Sequence, residues 1–175
     1  DRAAAVVAER SELSPEEQAE VARTVGIGAV KYADLSNDRE KDYLFAWDRM
    51  LAMDGNTAVY LQYANTRIQS ILRKATVTPG ADTQVLLNEP AERALALRLA
   101  QFPAAVQSTV ETYSPHKLTT YLYDTASSLT AFYESCPVLK AEPDVQASRL
   151  LLITLASRVL TKGLELLGIG APARM

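Results

Sequence analysis

The feature that most constrains the fold of this chain is the helical spacing of its apolar residues. After residue 57, every long segment repeats apolar side chains at intervals of three and four, and no segment alternates as a half-buried strand would. Proline and glycine mark the ends of these segments. Helices are expected over residues 58–75, 88–101, 103–113, 115–136 and 144–167. Asn56 or Thr57 is expected to cap the first of these helices and Asn88 the second. Cys136 is expected to be a small buried residue, and much of the apolar stripe of the last helix is expected to consist of Leu151, Leu152, Leu155, Val159 and Leu166. The sequence therefore predicts an all-α protein built as a helical bundle.

The first 54 residues predict shorter helices than the rest of the chain. Ser14 is placed to cap a helix, with Glu17 three residues later to reach back to the cap. This helix is expected to run to about residue 24, and a second short one to cover residues 29–32. A polar loop is expected over residues 36–42, where no apolar period is found.

The net charge also differs between the first 54 residues and the rest of the chain. Residues 1–54 carry 12 acids and 7 bases, a net of −5, whereas residues 55–175 carry 9 acids and 11 bases, a net of +2. We expect residues 1–54 to be a junction of short helices and loop, and residues 55–175 to be one helical domain. The sequence of residues 3–10 is typical of the middle or end of a helix, and no residue before them can cap its first amides. We therefore expect this chain to be a piece of a larger protein.

The residue counts exclude several classes of site. His116 is the one histidine and Cys136 the one cysteine, so motifs with two histidines, an internal disulfide and a zinc-ligand set are all excluded. Gly26 and Gly28 lack the preceding strand and the third glycine of a nucleotide-binding loop. We predict no catalytic and no metal-binding residues. No apolar run is long enough to span a membrane, and the cytosol is the expected compartment.

Two faces can be distinguished on the helix expected at residues 58–75. The core face holds Leu61, Ala64, Ile68, Leu72 and Ala75. A second face, about a third of a turn away, holds Tyr60, Tyr63, Arg67 and Lys74. One interpretation is a solvated flank with exposed hydroxyls. The other is a stacking platform, with tyrosine rings for unpaired bases and a guanidinium for base edges or phosphate.

Several segments resemble the arginyl-tRNA synthetase family in order and spacing. In the first half they are VGIGAVKYADL at residues 25–35, FAWDRML at 45–51, GNT at 55–57 and YLQYANTR at 60–67. In the second half they are HKL at 116–118, FYESCPVL at 132–139, LLGI at 166–169 and the terminal RM. The resemblance spans essentially the whole chain, and it implies the carboxyl-terminal part with the DALR anticodon-binding helical bundle of a class I synthetase.

The resemblance also implies what this chain lacks. Members of the family bind ATP, with magnesium, and arginine in a catalytic domain that carries a HIGH-like histidine pair and a KMSKS-like lysine loop. A chain with one histidine cannot contain the first motif, and no loop of the second type is present. The fragment is therefore expected to need no cofactor and to be inactive alone. Its expected partners are tRNA(Arg) and the catalytic domain of the same parent chain, and no membrane or DNA.

The family places anticodon contacts at positions that match five residues of this chain. They are Tyr60, Tyr63, Arg67, Tyr133 and Met175. Possible contacts to the tRNA backbone are Lys74, His116 and Lys117. All arginine anticodons share a central C, so the implied function is to read that base by stacking and hydrogen bonds. The alternative is a helical module derived from this domain that binds protein or regulates.

Overall fold

The computed structural model describes residues 2–8 and 13–175, and the regular structure in these ranges is helical throughout. No strand occurs there, which agrees with the predicted all-α class. The helices are α1 (Arg2–Ala8), α2 (Pro15–Leu35), α3 (Trp47–Met50), α4 (Ala58–Lys74), α5 (Pro90–Ala100), α6 (Phe102–Thr112), α7 (Pro115–Ser135) and α8 (Pro143–Leu166). The predicted helix at residues 3–10 corresponds to α1, with residues 9 and 10 outside the described ranges.

The two short helices predicted in the junction are one continuous helix. The Ser14 hydroxyl accepts from the Glu17 amide at 3.3 Å, and the Glu17 carboxylate accepts from the Ser14 amide at 3.0 Å, so α2 begins at the predicted capping box. It then continues through Gly26 and Gly28 to Leu35. Tertiary packing outweighs the weak helix propensity of glycine here, because α2 lies against both α1 and α4.

Helices α4, α7 and α8 pack against one another, while α5 and α6 pack against α7. The main core lies between them. Its largest fully buried side chains are Tyr32, Leu61, Ile68, Leu95, Leu122, Leu129, Phe132, Leu150, Ile153, Leu160 and Leu164. The predicted core face of α4 lies on this core, although Leu72 and Ala75 are only partly buried. Cys136 is fully buried in it, as predicted.

The apolar stripe predicted for α8 is wrong in part. Leu155 and Leu166 are 46% and 54% exposed, so they lie outside the core. The buried face instead runs through Leu150, Ile153 and other residues already named in the main core. Helix α8 has leucines around most of its circumference, so their spacing alone does not show which of them face the core. The positions of the neighbouring helices α4, α5 and α7 determine which leucines are buried.

Helix caps refine the predicted boundaries. The Thr57 hydroxyl accepts from the Tyr60 amide at 3.1 Å and caps α4, as one of the two predicted candidates. The cap of α5 is Glu89 and not Asn88, because Glu89 forms a capping box with Glu92. Gly168 has a positive φ of 67° after the end of α8, the conformation expected of a glycine in that position.

A second, smaller core joins the junction to the bundle. We call it the junction core, and it consists of Ala3, Val7, Ala22, Val25, Ala29, Met50 and Val59. Val59 comes from α4, so the junction core joins α1, α2 and α3 to the helix that carries the predicted tyrosine face, and α2 packs against that helix directly. Within the described ranges, no helix has the length and apolar character needed to cross a membrane.

Candidate nucleic-acid interface

Arg67 lies over two tyrosine rings that come from different helices. Its guanidinium carbon is 5.2 Å from the centroid of the Tyr133 ring and 6.0 Å from that of the Tyr63 ring. Tyr63 and Arg67 are four residues apart on α4, and Tyr133 lies near the end of α7. We call these three residues the Arg67 cluster. Both distances are within the range of a cation–π contact, so the cluster brings together a planar cation and two aromatic faces.

Tyr133 is anchored within the cluster. Its ring packs at 5.8 Å from that of Phe132 and against the main core. Burial raises the pKa of the Tyr133 hydroxyl well above its ordinary value, while the positive charge of Arg67 acts in the opposite direction. That hydroxyl has no hydrogen-bond partner among the residues described. Buried polar groups are usually satisfied, so the hydroxyl beside Arg67 is an exception in this fold.

Tyr60 does not belong to this cluster. The helical spacing predicted that it lies on a face away from the core, but its ring packs against the main core. Its hydroxyl is 3.1 Å from that of Thr130, and its ring is 5.8 Å from that of Tyr123, both on α7. Tyr60 is on the flank of α4 that meets α7, whereas Arg67 reaches the surface. Its contact with a nucleic acid stays a prediction.

Met175 and Tyr63 line one cavity of about 300 Å³, which we call the Met175 cavity. The remaining lining residues are Val6, Val7 and Met53. The walls thus combine the last residue of the chain, the tyrosine of α4 and apolar side chains of the junction. A cavity with several apolar wall residues beside a tyrosine suits an unstacked base, which proteins hold through stacking and apolar contact.

Comparison with known proteins identifies the class of domain. The DALR anticodon binding domain family matches residues 61–175, and the family described as tRNA synthetases class I (R), catalytic domain, matches residues 1–47. The chain belongs to the DALR anticodon-binding domain family. The predicted division between residues 54 and 55 falls in the stretch that neither family covers, and it stays a prediction.

The relatives of this DALR domain are arginine–tRNA ligases. The enzyme of Thermobifida fusca is 54% identical over 178 residues, covering 100% of this chain and 31% of the relative. That of Chromobacterium violaceum is 52% identical, covering 97% and 30%. The solved Thermus thermophilus arginyl-tRNA synthetase matches with a TM-score of 0.91 at 38% identity, over 99% of this chain and 30% of that one. The chain spans about a third of the length of these relatives.

The DALR domain does not bring the predicted backbone contacts to the Arg67 cluster. Lys74 is exposed in the last turn of α4, roughly 16 Å along the helix axis from Tyr63. His116 and Lys117 are in the first turn of α7, whereas Tyr133 is near its end, roughly 25 Å away. The Lys117 ammonium contacts the Ser108 hydroxyl at 3.4 Å. These three positions stay predictions, and any contact they make lies at a different part of a ligand.

The sequence did not predict that residues of the junction line the Met175 cavity. Val6, Val7 and Met53 line the cavity with Tyr63, although none of them lies in a segment that suggested binding. Val7 is 1% exposed and belongs to the junction core. Periodicity could not reveal their role, because α1 and the segment before α4 meet Tyr63 only through the tertiary fold. Across the described part of the chain, no group of three or more metal-binding side chains occurs.

Proposed function

We propose that this chain binds arginine tRNA and reads the central C of its anticodon, in support of arginylation by a catalytic domain of the same parent protein. The observation that carries this proposal is the Arg67 cluster beside the Met175 cavity in a DALR fold. Tyrosine faces supply stacking, worth about 1–3 kcal/mol per base, and the guanidinium supplies directional donors. We propose the cytoplasm as the compartment.

The readout of cytosine has a simple chemical basis. Bases of an anticodon loop are unpaired, so their edges are open to protein groups. Arg67 can donate to the cytosine carbonyl, and the carboxylate of Met175 can accept from the cytosine amine. A guanine in the same place presents the opposite pattern of donors and acceptors, so one group that the bound base covers is left unpaired, at a cost of about 1–3 kcal/mol.

We propose that the chain does not activate arginine by itself. It contains one histidine, so a HIGH-like pair cannot be formed, and none of its described acidic residues is grouped for a metal. ATP and magnesium are therefore assigned to the catalytic part of the parent protein. The role left for this chain is to position the tRNA.

The test is a titration of the chain with two arginine tRNAs that differ only in the central anticodon base. We expect the tRNA with central C to bind at least about tenfold more tightly than the one with central G, because of the unpaired group. Both titrations are repeated at two salt concentrations, since phosphate contacts alone give salt-sensitive binding without base preference. Equal affinities would contradict base readout.

The alternative is a helical module that binds protein or regulates. Under that alternative, changes at Tyr60 and Arg67 are tolerated and neither tRNA is preferred. The same titration with Arg67→Ala separates the two functions, because a protein-binding module has no reason to lose tRNA affinity at this residue.

A further inference from the structure

The last residues of the chain form a strap on the surface of the bundle. We call residues 168–175 the carboxyl-terminal strap. Gly168, with its positive φ, turns the chain away from α8, and Ile169 is 3% exposed within the main core. A Cβ on Gly170 would be 2.8 Å from the Thr24 Cγ2, so the strap lies against α2 without room for a side chain.

Side chains of α2 and α4 hold the backbone of the strap. The Lys31 Nζ donates to the Gly168 carbonyl at 2.7 Å, the Gln62 Nε2 to the Gly170 carbonyl at 2.8 Å, and an Arg73 guanidinium nitrogen to the Ala173 carbonyl at 3.3 Å. Since the acceptors are backbone carbonyls, these anchors do not depend on the side chains of the strap. Only the anchor from Gln62 comes from a buried side chain.

Gln62 is an unusual residue for a position inside the bundle. Its exposed fraction is 0%, and its Oε1 has no partner among the described residues. A buried amide with one unsatisfied oxygen is costly. The fold also makes room for it, because a Cβ on Gly28 would be 3.0 Å from the Gln62 Nε2 and 3.1 Å from the Ile169 Cγ2. Stability alone does not explain such a residue.

We infer that Gln62 is a positioning residue, whose hydrogen bond to Gly170 holds the carboxyl-terminal strap so that Met175 stays in the wall of the Met175 cavity, beside Tyr63. Gln62 directly precedes Tyr63 on α4, so one helix places the Tyr63 ring and, through Gln62, the strap that ends at Met175. The inference rests on the proposed function only for its consequence in tRNA binding. Its effect on the strap is independent of any ligand.

The variant that tests this is Gln62→Leu in the full chain. Leucine fills similar space and removes both the donor and the unsatisfied oxygen, so the bundle is expected to keep its melting temperature. The Gly170 carbonyl then loses its buried donor, and the part of the strap after Ile169 lifts towards water, while Ile169 stays in the main core. Gln62→Met, which is unbranched, is a second variant for the same measurement.

The matched control is Gln69→Leu, on the same helix. It removes the hydrogen bond from the Gln69 Nε2 to the Ser157 hydroxyl, 2.9 Å long, which joins α4 to α8. This bond does not involve the strap. A general loosening of α4 affects both variants, whereas loss of the strap anchor affects Gln62→Leu alone.

Two ligand-free measurements report on the strap. The chain has three methionines, so methyl NMR with labelled methionine gives three signals, and Met175→Ala assigns one of them. In Gln62→Leu this signal is expected to sharpen and move to the position typical of disordered chains. Release of Met175 by carboxypeptidase is expected to be about five- to tenfold faster, as for the loss of one hydrogen bond. No change in either, or an equal change in Gln69→Leu, would overturn the inference.

The consequence for tRNA is measured by a double-mutant cycle of Gln62→Leu with deletion of Met175, which removes the side chain and moves the terminal carboxylate. We expect Gln62→Leu to weaken binding of tRNA with central C about fivefold, and less than about twofold once Met175 is absent. Additive effects would overturn positioning through Met175. Absence of tRNA binding by the unaltered chain would contradict the proposed function, while the methyl signal and the release rate would still decide whether Gln62 holds the strap.

Discussion

At the scale of residues, the proposed function depends on more than the positive charge of Arg67. It is planar, and it lies within about 6 Å of both the Tyr63 and the Tyr133 rings. A lysine has the same charge but neither the flat shape nor the fixed fork of donors. Under the proposed function, the two rings and this fork of donors fit an unpaired base, which is flat and carries acceptors at its edge.

Tyr63→Ala is expected to weaken binding of arginine tRNA at least about tenfold, because it removes one stacking surface worth about 1–3 kcal/mol. It also opens the wall of the Met175 cavity. The measurement is a filter-binding or fluorescence titration at fixed salt. Tyr43→Ala is the control, since Tyr43 is an exposed tyrosine in the junction. An equal loss in both variants would contradict a stacking role for Tyr63.

Arg67→Lys is expected to keep the salt dependence of tRNA binding and to lose most of the preference for central C. The reason is that lysine retains the charge and loses the planar donors. Arg67→Ala is expected to lose the preference and also to reduce the salt slope, by up to about 0.9 if the guanidinium also contacts a phosphate. Titrations of both variants with the C and G tRNAs check this. A lysine variant with full preference would show that charge alone suffices.

At the scale of elements, a buried ion pair fixes how three segments meet. The Arg149 Nε donates to Glu92 at 2.7 Å, and another guanidinium nitrogen donates to the Pro137 carbonyl at 2.7 Å. Glu92 belongs to the first turn of α5, Arg149 to α8, and Pro137 to the segment directly after α7. Because Tyr133 lies in the last turn of α7, this pair helps to fix the end of the helix that carries one of the two rings of the Arg67 cluster.

The ionisation of Glu92 makes the stability of the fold depend on pH. Burial raises its pKa, but hydrogen bonds from the Glu89 amide and from Arg149, with the charge of Arg149, outweigh burial, so the pKa is lowered overall. A carboxyl with a lowered folded pKa stabilises the protein above its unfolded pKa of about 4.3, and that stability is lost as the pH falls through the folded pKa.

Glu92→Gln is expected to destabilise the fold by about 3 kcal/mol near neutral pH, because Arg149 is left buried without its counter-charge. The difference from the unaltered chain should shrink as the pH falls from the unfolded pKa of about 4.3 through the lowered folded pKa, where Glu92 itself becomes protonated. Urea unfolding at pH 6 and at lower pH measures this. Glu165→Gln, at an exposed ion pair with Lys162, is the control and should change stability little. A difference that stays constant with pH would contradict the argument.

The elements also show where sequence reasoning succeeds. The capping box of Ser14 and Glu17 and the cap at Thr57 could be identified because capping needs only residues three apart. The continuity of α2 could not be predicted, because the propensity of Gly26 and Gly28 indicates a break and only packing against α1 and α4 opposes it. The same limit explains the error at Leu155 and Leu166, whose exposure depends on where the neighbouring helices lie.

At the scale of the whole molecule, charge is distributed in favour of the proposed interface. The net charge of −5 belongs to residues 1–54, and the net of +2 to residues 55–175. Arg67, Arg73 and Lys74 are exposed on the second half of α4, and none of them is in an ion pair with a described residue. A phosphate backbone that passes the Arg67 cluster therefore meets further cations along the same helix.

Lys74→Ala is expected to reduce the slope of log affinity against log salt concentration by about 0.7–0.9, as for one phosphate contact, and to leave the preference for central C unchanged. Titrations across a range of salt concentrations measure the slope. Lys162→Ala is the control, because Lys162 is paired with Glu165 on α8. If Lys74→Ala changed the base preference and not the slope, Lys74 would be acting on a base.

The sequence by itself determined the helical class, most helix boundaries and the separation of Tyr63 and Arg67 from the core face, because these depend on local spacing and on residues within one or two turns. Only the tertiary structure decided that Tyr133 joins them while Tyr60 packs against α7. It alone brought Met175 to Tyr63 and placed Gln62 beneath the carboxyl-terminal strap. These contacts join residues about 70 to 110 positions apart, and no local rule of spacing encodes how distant helices pack.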